Sequence, residues 1–230
     1  MAKENVKKDE ERLEKIESTL GKSEMFIEKN KKTIIIVVIA AIVVVLAFLG
    51  IKKFYWEPRQ AAAANDIWHA EQYFDKGDFK TALEGDSIND GFKAVVEKYG
   101  STKSGNLAKY YAGICSLQLG QFEDAIDYLK DFDSKDFIMS ALALYNIGNA
   151  YMELGEMEQA ADYYMQAAEK NHNITLSPMM MKIAGDTYDM MGDYKKALEV
   201  YNRIRADYPK STEADHVQKN IAMVEAKLAY

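Results

Sequence analysis

Four stretches of the chain repeat one spacing, and that spacing limits the fold more than any other feature. In each, a small residue is followed three positions later by a second slot, four further by a glycine, and five beyond by an alanine. The sets are Ala70, Tyr73, Gly77, Ala82; Gly113, Ser116, Gly120, Ala125; Gly148, Tyr151, Gly155, Ala160; and Gly185, Tyr188, Gly192, Ala197. In the last three, a bulky residue stands four after the alanine, at Leu129, Tyr164 and Tyr201. Leu144, Ile147, Gly148 and Tyr151 fall at i, i+3, i+4 and i+7, one stripe of a helix. The spacing therefore predicts a helix pair per set. Gly148 lets the second helix approach closely, with Tyr151 packed over it, and Gly155 turns the chain through left-handed backbone. Ala160 and Tyr164 then face back from the second helix. One pair cannot bury its own apolar faces, so the pairs must stack.

This frame resembles the tetratricopeptide repeat over about residues 60–211, with repeats at about 64–102, 106–137, 141–174 and 178–211. The resemblance implies an all-α, right-handed helical solenoid over residues 57–230. Residues 212–230, with Val217, Ile221, Val224 and Leu228 on one helical face, look like the capping helix of such a stack. There are departures. Asp66, Lys109 and Met181 occupy a slot that often holds tryptophan, Ser116 replaces an aromatic, and the first repeat carries about six extra residues between Ala82 and Phe92. Asp86, Asn89 and Asp90 in that insertion lack the alternating spacing of a calcium loop and read as an ordinary turn.

Stacks of this family usually bind peptides or proteins along the concave face made by the first helices. The lining residues this implies are Leu107, Tyr110, Ile114 and Leu117, then Leu142, Tyr145, Asn149 and Met152, then Met179, Lys182 and Asp186. A groove holding a C-terminal carboxylate needs several cationic or amide donors. Here only Lys182, Asn146 and Asn149 are near, and Asp186 repels. The apolar surface suits extended or unfolded chain segments, or an inserted helix. Met179, Met180, Met181, Met190 and Met191 cluster in the fourth repeat; they read first as core filling and second as an adaptable binding surface.

Ahead of the repeats lies Ile34–Ile51, 18 residues without a charge or strongly polar side chain. As a helix it is roughly 27 Å long, enough for a bilayer core of about 30 Å. Lys52-Lys53 and then Phe54, Tyr55 and Trp56 follow, as an interfacial belt does. The expectation is one transmembrane signal anchor at residues 33–53, uncleaved because 33 residues precede the run and no small-residue cleavage site follows it. Lys15, Lys22, Lys29, Lys31 and Lys32 flank one side against Lys52, Lys53 and Arg59 on the other, favouring a cytoplasmic N-terminus. Residues 1–32 read as a charged, solvated helix. Val6, Leu13, Leu20 and Ile27 recur in it every seven residues, with Ile16 beside them, but polar partner positions weaken a coiled-coil seam.

The net charge of −7 is an average over a basic segment 1–56, with 11 Lys/Arg against 8 Asp/Glu, and an acidic remainder, with 18 against 28. An acidic domain without a basic patch argues against a nucleic-acid partner. One cysteine excludes an intrachain disulfide, and Cys115 lies mid-helix, where it reads as a small buried hydrophobe. His69, His172 and His216 sit in different parts of the stack; no nucleophile elbow, metal-ligand spacing or phosphate loop occurs. The expectation is no enzyme, no cofactor and no metal site. Asn173-Ile174-Thr175 matches a glycosylation acceptor, meaningful only in a eukaryotic secretory route.

Charged tail, single anchor and acidic repeat domain together look like the YfgM-type ancillary subunit of the Sec translocon. That resemblance implies a scaffold of the bacterial inner membrane, its C-terminal domain periplasmic. The partners implied are translocon subunits, a periplasmic chaperone or unfolded exported chains. The runner-up is a cytosol-facing adaptor recruiting chaperones to a membrane, which calls for groove Lys/Arg and a reversed charge bias. A third reading is self-association through the stack.

Overall fold

The computed structural model describes the backbone of residues 2–171 and 173–229, and the side chains of residue 25, residues 28–170 and residues 173–229. Among these the chain is helical throughout, with a lone backbone bridge between Gly85 and Asp90 and no named strand. The chain divides into two units at Pro58 and Arg59.

The first unit is helix α1 (Ala2–Ile51), a π-helical turn at Lys52–Trp56, and the first residues of α2 (Glu57–Asp75). From Ile35 to Ile51 the large apolar side chains lie between 48% and 68% exposed, so no protein core covers them. The helix is long and apolar enough to cross a membrane. The heptad positions Val6, Leu13, Ile16, Leu20 and Ile27 lie outside the described side chains.

The second unit continues through α3 (Phe79–Glu84), α4 (Phe92–Tyr99), α5 (Lys103–Gln118), α6 (Phe122–Asp131), α7 (Phe137–Glu153), α8 (Met157–Asn171), α9 (Leu176–Met191), α10 (Tyr194–Asp207) and α11 (Thr212–Leu228). Neighbours in sequence pack as neighbours in space, the pattern of a stacked repeat. The turns within pairs have a common cause. Gly77, Gly120, Gly155 and Gly192 adopt φ between +75° and +79°, which other residues enter at a cost. After Gly77 and Gly192, the carboxylates of Asp78 and Asp193 cap the next helix by accepting the amides of Thr81 and Lys196.

In the first repeat the insertion splits the second helix into α3 and α4. Asp86 organises it: one carboxylate oxygen accepts the amides of Ile88 and Asn89 at 2.6 Å each, and the other accepts the Tyr73 hydroxyl at 2.6 Å. These donors hold the Asp86 carboxyl well below the usual range. The segment is an Asp-anchored turn whose carboxylate is already occupied.

Close helix approach is secured by glycine, with one correction to the sequence reading. A Cβ on Gly148 would stand 2.6 Å from Tyr164 Cε1, and one on Gly185 would stand 2.6 Å from Tyr201 Cε1. The ring over Gly148 is thus Tyr164 of α8, not Tyr151. A helical side chain leans toward its own N-terminus along its own face, so Tyr151 sits between Tyr163 of its own repeat and Lys130 of the preceding one. Its ring stacks on Tyr163 at 5.3 Å, and its hydroxyl accepts from Lys130 Nζ at 3.0 Å.

Helix α11 packs on both α9 and α10 and buries Ala214, Val217, Ile221 and Val224; Leu228, expected on the same face, is 40% exposed at the helix end. Met180 and Met181 are core, Met179 is half-buried, and Met190 and Met191 are exposed. Cys115 is buried, and burial pushes its thiol up to about 12, so it is not a nucleophile at neutral pH.

Ser116 stands where the other repeats carry tyrosine, and its hydroxyl is buried with no hydrogen-bond partner among the described residues. Removing an unsatisfied buried hydroxyl relieves its desolvation cost. Ser116→Ala is therefore expected to raise stability by about 1 kcal/mol, read as a higher urea midpoint at unchanged slope. A lower midpoint would show that the hydroxyl is satisfied in solution.

Candidate protein-binding surface

Helices α5, α7 and α9 are the first helices of their repeats. Every predicted lining residue on them is half-buried: Leu107, Tyr110, Ile114 and Leu117 on α5, Leu142, Tyr145, Asn149 and Met152 on α7, and Met179, Lys182 and Asp186 on α9. Half-burial follows from their position on the stripe beside the one that enters the core. Leu107 packs against the core of the first two repeats, and Tyr110, Ile114 and Leu117 against that formed by α5, α6 and α7. Leu142, Tyr145 and Met152 lean on the core that continues to the C-terminal end.

Three of these residues, Leu117, Asn149 and Met152, meet at one open concavity of about 590 Å³. Gln118, Gly120, Phe122, Glu153 and Tyr164 complete its wall. Sequence spacing did not single out Gln118, Phe122 or Glu153. Gln118 and Glu153 each follow a predicted residue directly, at the helix end where the wall turns outward, and Phe122 opens the second helix after the Gly120 turn. Tyr164 was assigned to packing alone, yet it both covers Gly148 and reaches the concavity.

The polar groups are set by bonds among themselves. Tyr164 donates its hydroxyl to Asn149 Oδ1 at 2.9 Å, and Asn146 Nδ2 donates to the Leu142 carbonyl at 2.8 Å. Burial raises the Tyr164 pKa, so the hydroxyl stays a donor well above neutral pH. On α9, Asp186 accepts Lys182 Nζ at 2.6 Å through one oxygen, and Tyr201 at 2.7 Å and Asn220 at 3.0 Å through the other. Lys182 and Asp186 are therefore a mutually neutralised pair, and Asp186 also ties α9 to α10 and to the terminal helix. The surface offers apolar contact with a few fixed polar points. Among the described residues no group of three His, Cys, Asp or Glu side chains could hold a metal ion.

Residues 141–174 and residues 180–211 each match a family profile described as tetratricopeptide repeat. Among solved structures, the chain is similar to a tetratricopeptide repeat protein from Parabacteroides merdae ATCC 43184, at 20% identity and a TM-score of 0.57. That match covers 73% of this chain and 61% of the other, so the chain spans less than two thirds of that protein. It is also similar to MamA protein, at 24% identity and a TM-score of 0.50, over 66% of this chain and 74% of that one. No curated protein sequence matches it significantly. At these identities the likeness speaks for the fold, and it agrees with the helix pairs described above. Residues 141–174 and 180–211 match the tetratricopeptide repeat, and such repeats imply a protein–protein interaction scaffold.

Proposed function

We propose that the chain is a membrane-tethered scaffold of the bacterial envelope. In this reading a helix at residues 33–53 crosses the inner membrane, residues 1–32 face the cytoplasm, and the stack at residues 57–230 faces the periplasm. Its first-helix surface engages translocon subunits, a periplasmic chaperone or unfolded exported chains near the Sec translocon. It helps exported proteins fold or pass onward without chemistry of its own. Support for the tether is the uncovered apolar helix and the Lys/Arg bias before it.

The single observation carrying the binding role is the open concavity at Leu117, Asn149 and Met152, where apolar side chains alternate with the polar groups of Gln118, Asn149, Glu153 and Tyr164. A partner segment gains there by covering Leu117, Phe122 and Met152 and by pairing with the polar groups between them.

The test is photo-crosslinking in inner-membrane vesicles from a benzoylphenylalanine at Gln118 or Glu153, both exposed at the concavity. Adducts with translocon, chaperone or exported proteins are expected, and the same probe at Lys219 on α11 should give none. Adducts only between copies of the chain would remove the scaffold role in export. Protease treatment of intact spheroplasts should cleave the repeat domain from outside; protection there would reverse the topology.

A further inference from the structure

Once the bonds inside the concavity are counted, the strongest polar groups left facing a ligand are acceptors. A backbone carbonyl fixes the order. The Leu142 carbonyl can only accept, so the atom that Asn146 turns to it at 2.8 Å is the amide nitrogen, Nδ2. Asn146 Oδ1 is then the atom facing Asn149 Nδ2, at 3.5 Å. That leaves Asn149 Oδ1 for Tyr164, whose hydroxyl donates to it at 2.9 Å. With its proton committed, the Tyr164 oxygen in the wall keeps only lone pairs.

Glu153 adds a carboxylate to the same wall. Among the described residues no hydrogen bond or ion pair engages it. It lies near enough to Tyr164 to raise the pKa of that hydroxyl, after burial and Tyr145. Donors in the wall are confined to the amides of Gln118 and Asn149, and no lysine, arginine or histidine lines it. The fourth repeat fills comparable acceptors from within the chain. Asp186, at the repeat position of Asn149, accepts Tyr201 at 2.7 Å and Lys182 Nζ at 2.6 Å. In the third repeat Tyr145 stands at the position of Lys182, so the matching cation is missing there.

The surrounding charges have the same sign. At the second residue of the second helices the two central repeats carry Glu123 and Glu158, while the outer two carry Lys80 and Lys195. Asp124 and Glu156 are exposed next to the central turns. Other cations of the flanking repeats are engaged. Lys76 lies over the Tyr73 ring at 5.6 Å, and Lys196 reaches Asp193 at 3.6 Å and Glu158 at 3.9 Å.

We propose that the concavity takes a polypeptide segment in which an arginine or lysine stands between large apolar residues. The cation meets Glu153 and the Tyr164 oxygen, and the apolar side chains cover Leu117, Phe122 and Met152. The inference rests on the binding role proposed above and names the chemistry of its ligand. An ammonium or guanidinium brings only donors, which suits groups that only accept, and its stem lies along apolar surface. A segment that presents a carboxylate at this point is repelled by Glu153.

The experiment uses the full chain in phosphatidylcholine nanodiscs, with empty discs as background, and fluorescein-labelled nonapeptides with blocked ends. Their centre is Leu-Phe-X-Leu-Phe, where X is arginine, lysine, citrulline or glutamate. By fluorescence anisotropy the arginine and lysine peptides are expected to bind about fivefold tighter than the citrulline peptide, and the glutamate peptide weaker still. Glu153→Gln should bring the cationic peptides down to the citrulline value and leave that value unchanged. Glu153→Lys should put the glutamate peptide first. Glu153 is exposed at the end of α7, where lysine also suits the helix dipole, so both variants keep the fold. Met152→Asp should weaken every peptide. Equal affinities for the four peptides, all lowered by Met152→Asp, would overturn the cation preference and leave the binding role standing. A preference unmoved by Glu153→Gln would put the cation elsewhere on the acidic surface and overturn the proposal too. Binding of none of the peptides would remove the binding role, and this inference with it.

Discussion

Gly105→Ala is expected to destabilise the repeat domain by about 3 kcal/mol. Gly105 is buried in the first turn of α5, and its amide donates to the capping hydroxyl of Thr102 at 3.0 Å. A Cβ there would overlap the Tyr99 carbonyl and come within 2.8 Å of the Gly100 nitrogen. Those atoms are backbone at the end of α4, so no side chain can swing away. Alanine is the better helix former by about 0.5–1 kcal/mol, which offsets only a fraction of the clash. Gly120→Ala is the control. Gly120 has φ +75° with nothing within 4 Å of its Cβ site, so its cost is conformational alone, about 1 kcal/mol. Urea unfolding of both variants gives the comparison. A Gly105→Ala midpoint no lower than that of Gly120→Ala would show that α4 and α5 separate without strain.

Tyr201→Ala is expected to cost about 4 kcal/mol, and Tyr201→Phe about 1 kcal/mol. The ring is fully buried over Gly185, where truncation leaves a cavity, while the hydroxyl only completes the bond to Asp186 that Asn220 also makes. The phenylalanine variant carries a second signature. Burial raises the pKa of Tyr201, and of Tyr164; burial together with Asp162 raises Tyr188 to about 12. In the unfolded chain these phenols ionise near pH 10, so above that pH the unfolded state binds fewer protons than the native one. Stability present below pH 10 is then lost as pH rises towards the folded values. Tyr201→Phe removes one of these contributions and should make that alkaline fall less steep. An unchanged slope would place the Tyr201 hydroxyl in contact with water.

Much of the stack can be read from residue spacing because the frame combines slots with different physical demands. Gly120, Gly155 and Gly192 are needed for positive φ, Gly113, Gly148 and Gly185 for close approach, and Ala125, Ala160 and Ala197 for zero-clearance packing. Chance rarely meets all three at a fixed offset. Gly105 could not be found this way, since it serves the contact between repeats and falls outside the frame. Tyr151 was misplaced for a related reason: spacing within one helix says which face a residue shares, not which neighbour meets that face. That the chosen positions on α5, α7 and α9 share one half-buried stripe was legible as helical periodicity. The hydroxyl bond of Tyr164 and the contribution of Asn220 were not, because spacing gives the face a ring takes but not the side chain its hydroxyl meets, and Asn220 arrives from α11, 34 residues beyond Asp186. The insertion after Ala82 was visible as surplus length, but its anchoring through Asp86 and Tyr73 depends on side chains 13 residues apart.

The bonds from Tyr164 to Asn149 and from Tyr201 to Asp186 join equivalent positions of two successive repeats. In the preceding repeat those positions are Leu129 and Ile114, and no such bond exists. The first-helix surface therefore changes character along its length: apolar beside α5, and carrying hydrogen-bonded polar points beside α7 and α9. A surface graded in this manner has a direction. An extended segment lying in it meets different chemistry at its two ends, so the same sequence laid in reverse is a different ligand. On the binding role proposed above, orientation as well as composition is what this surface would select.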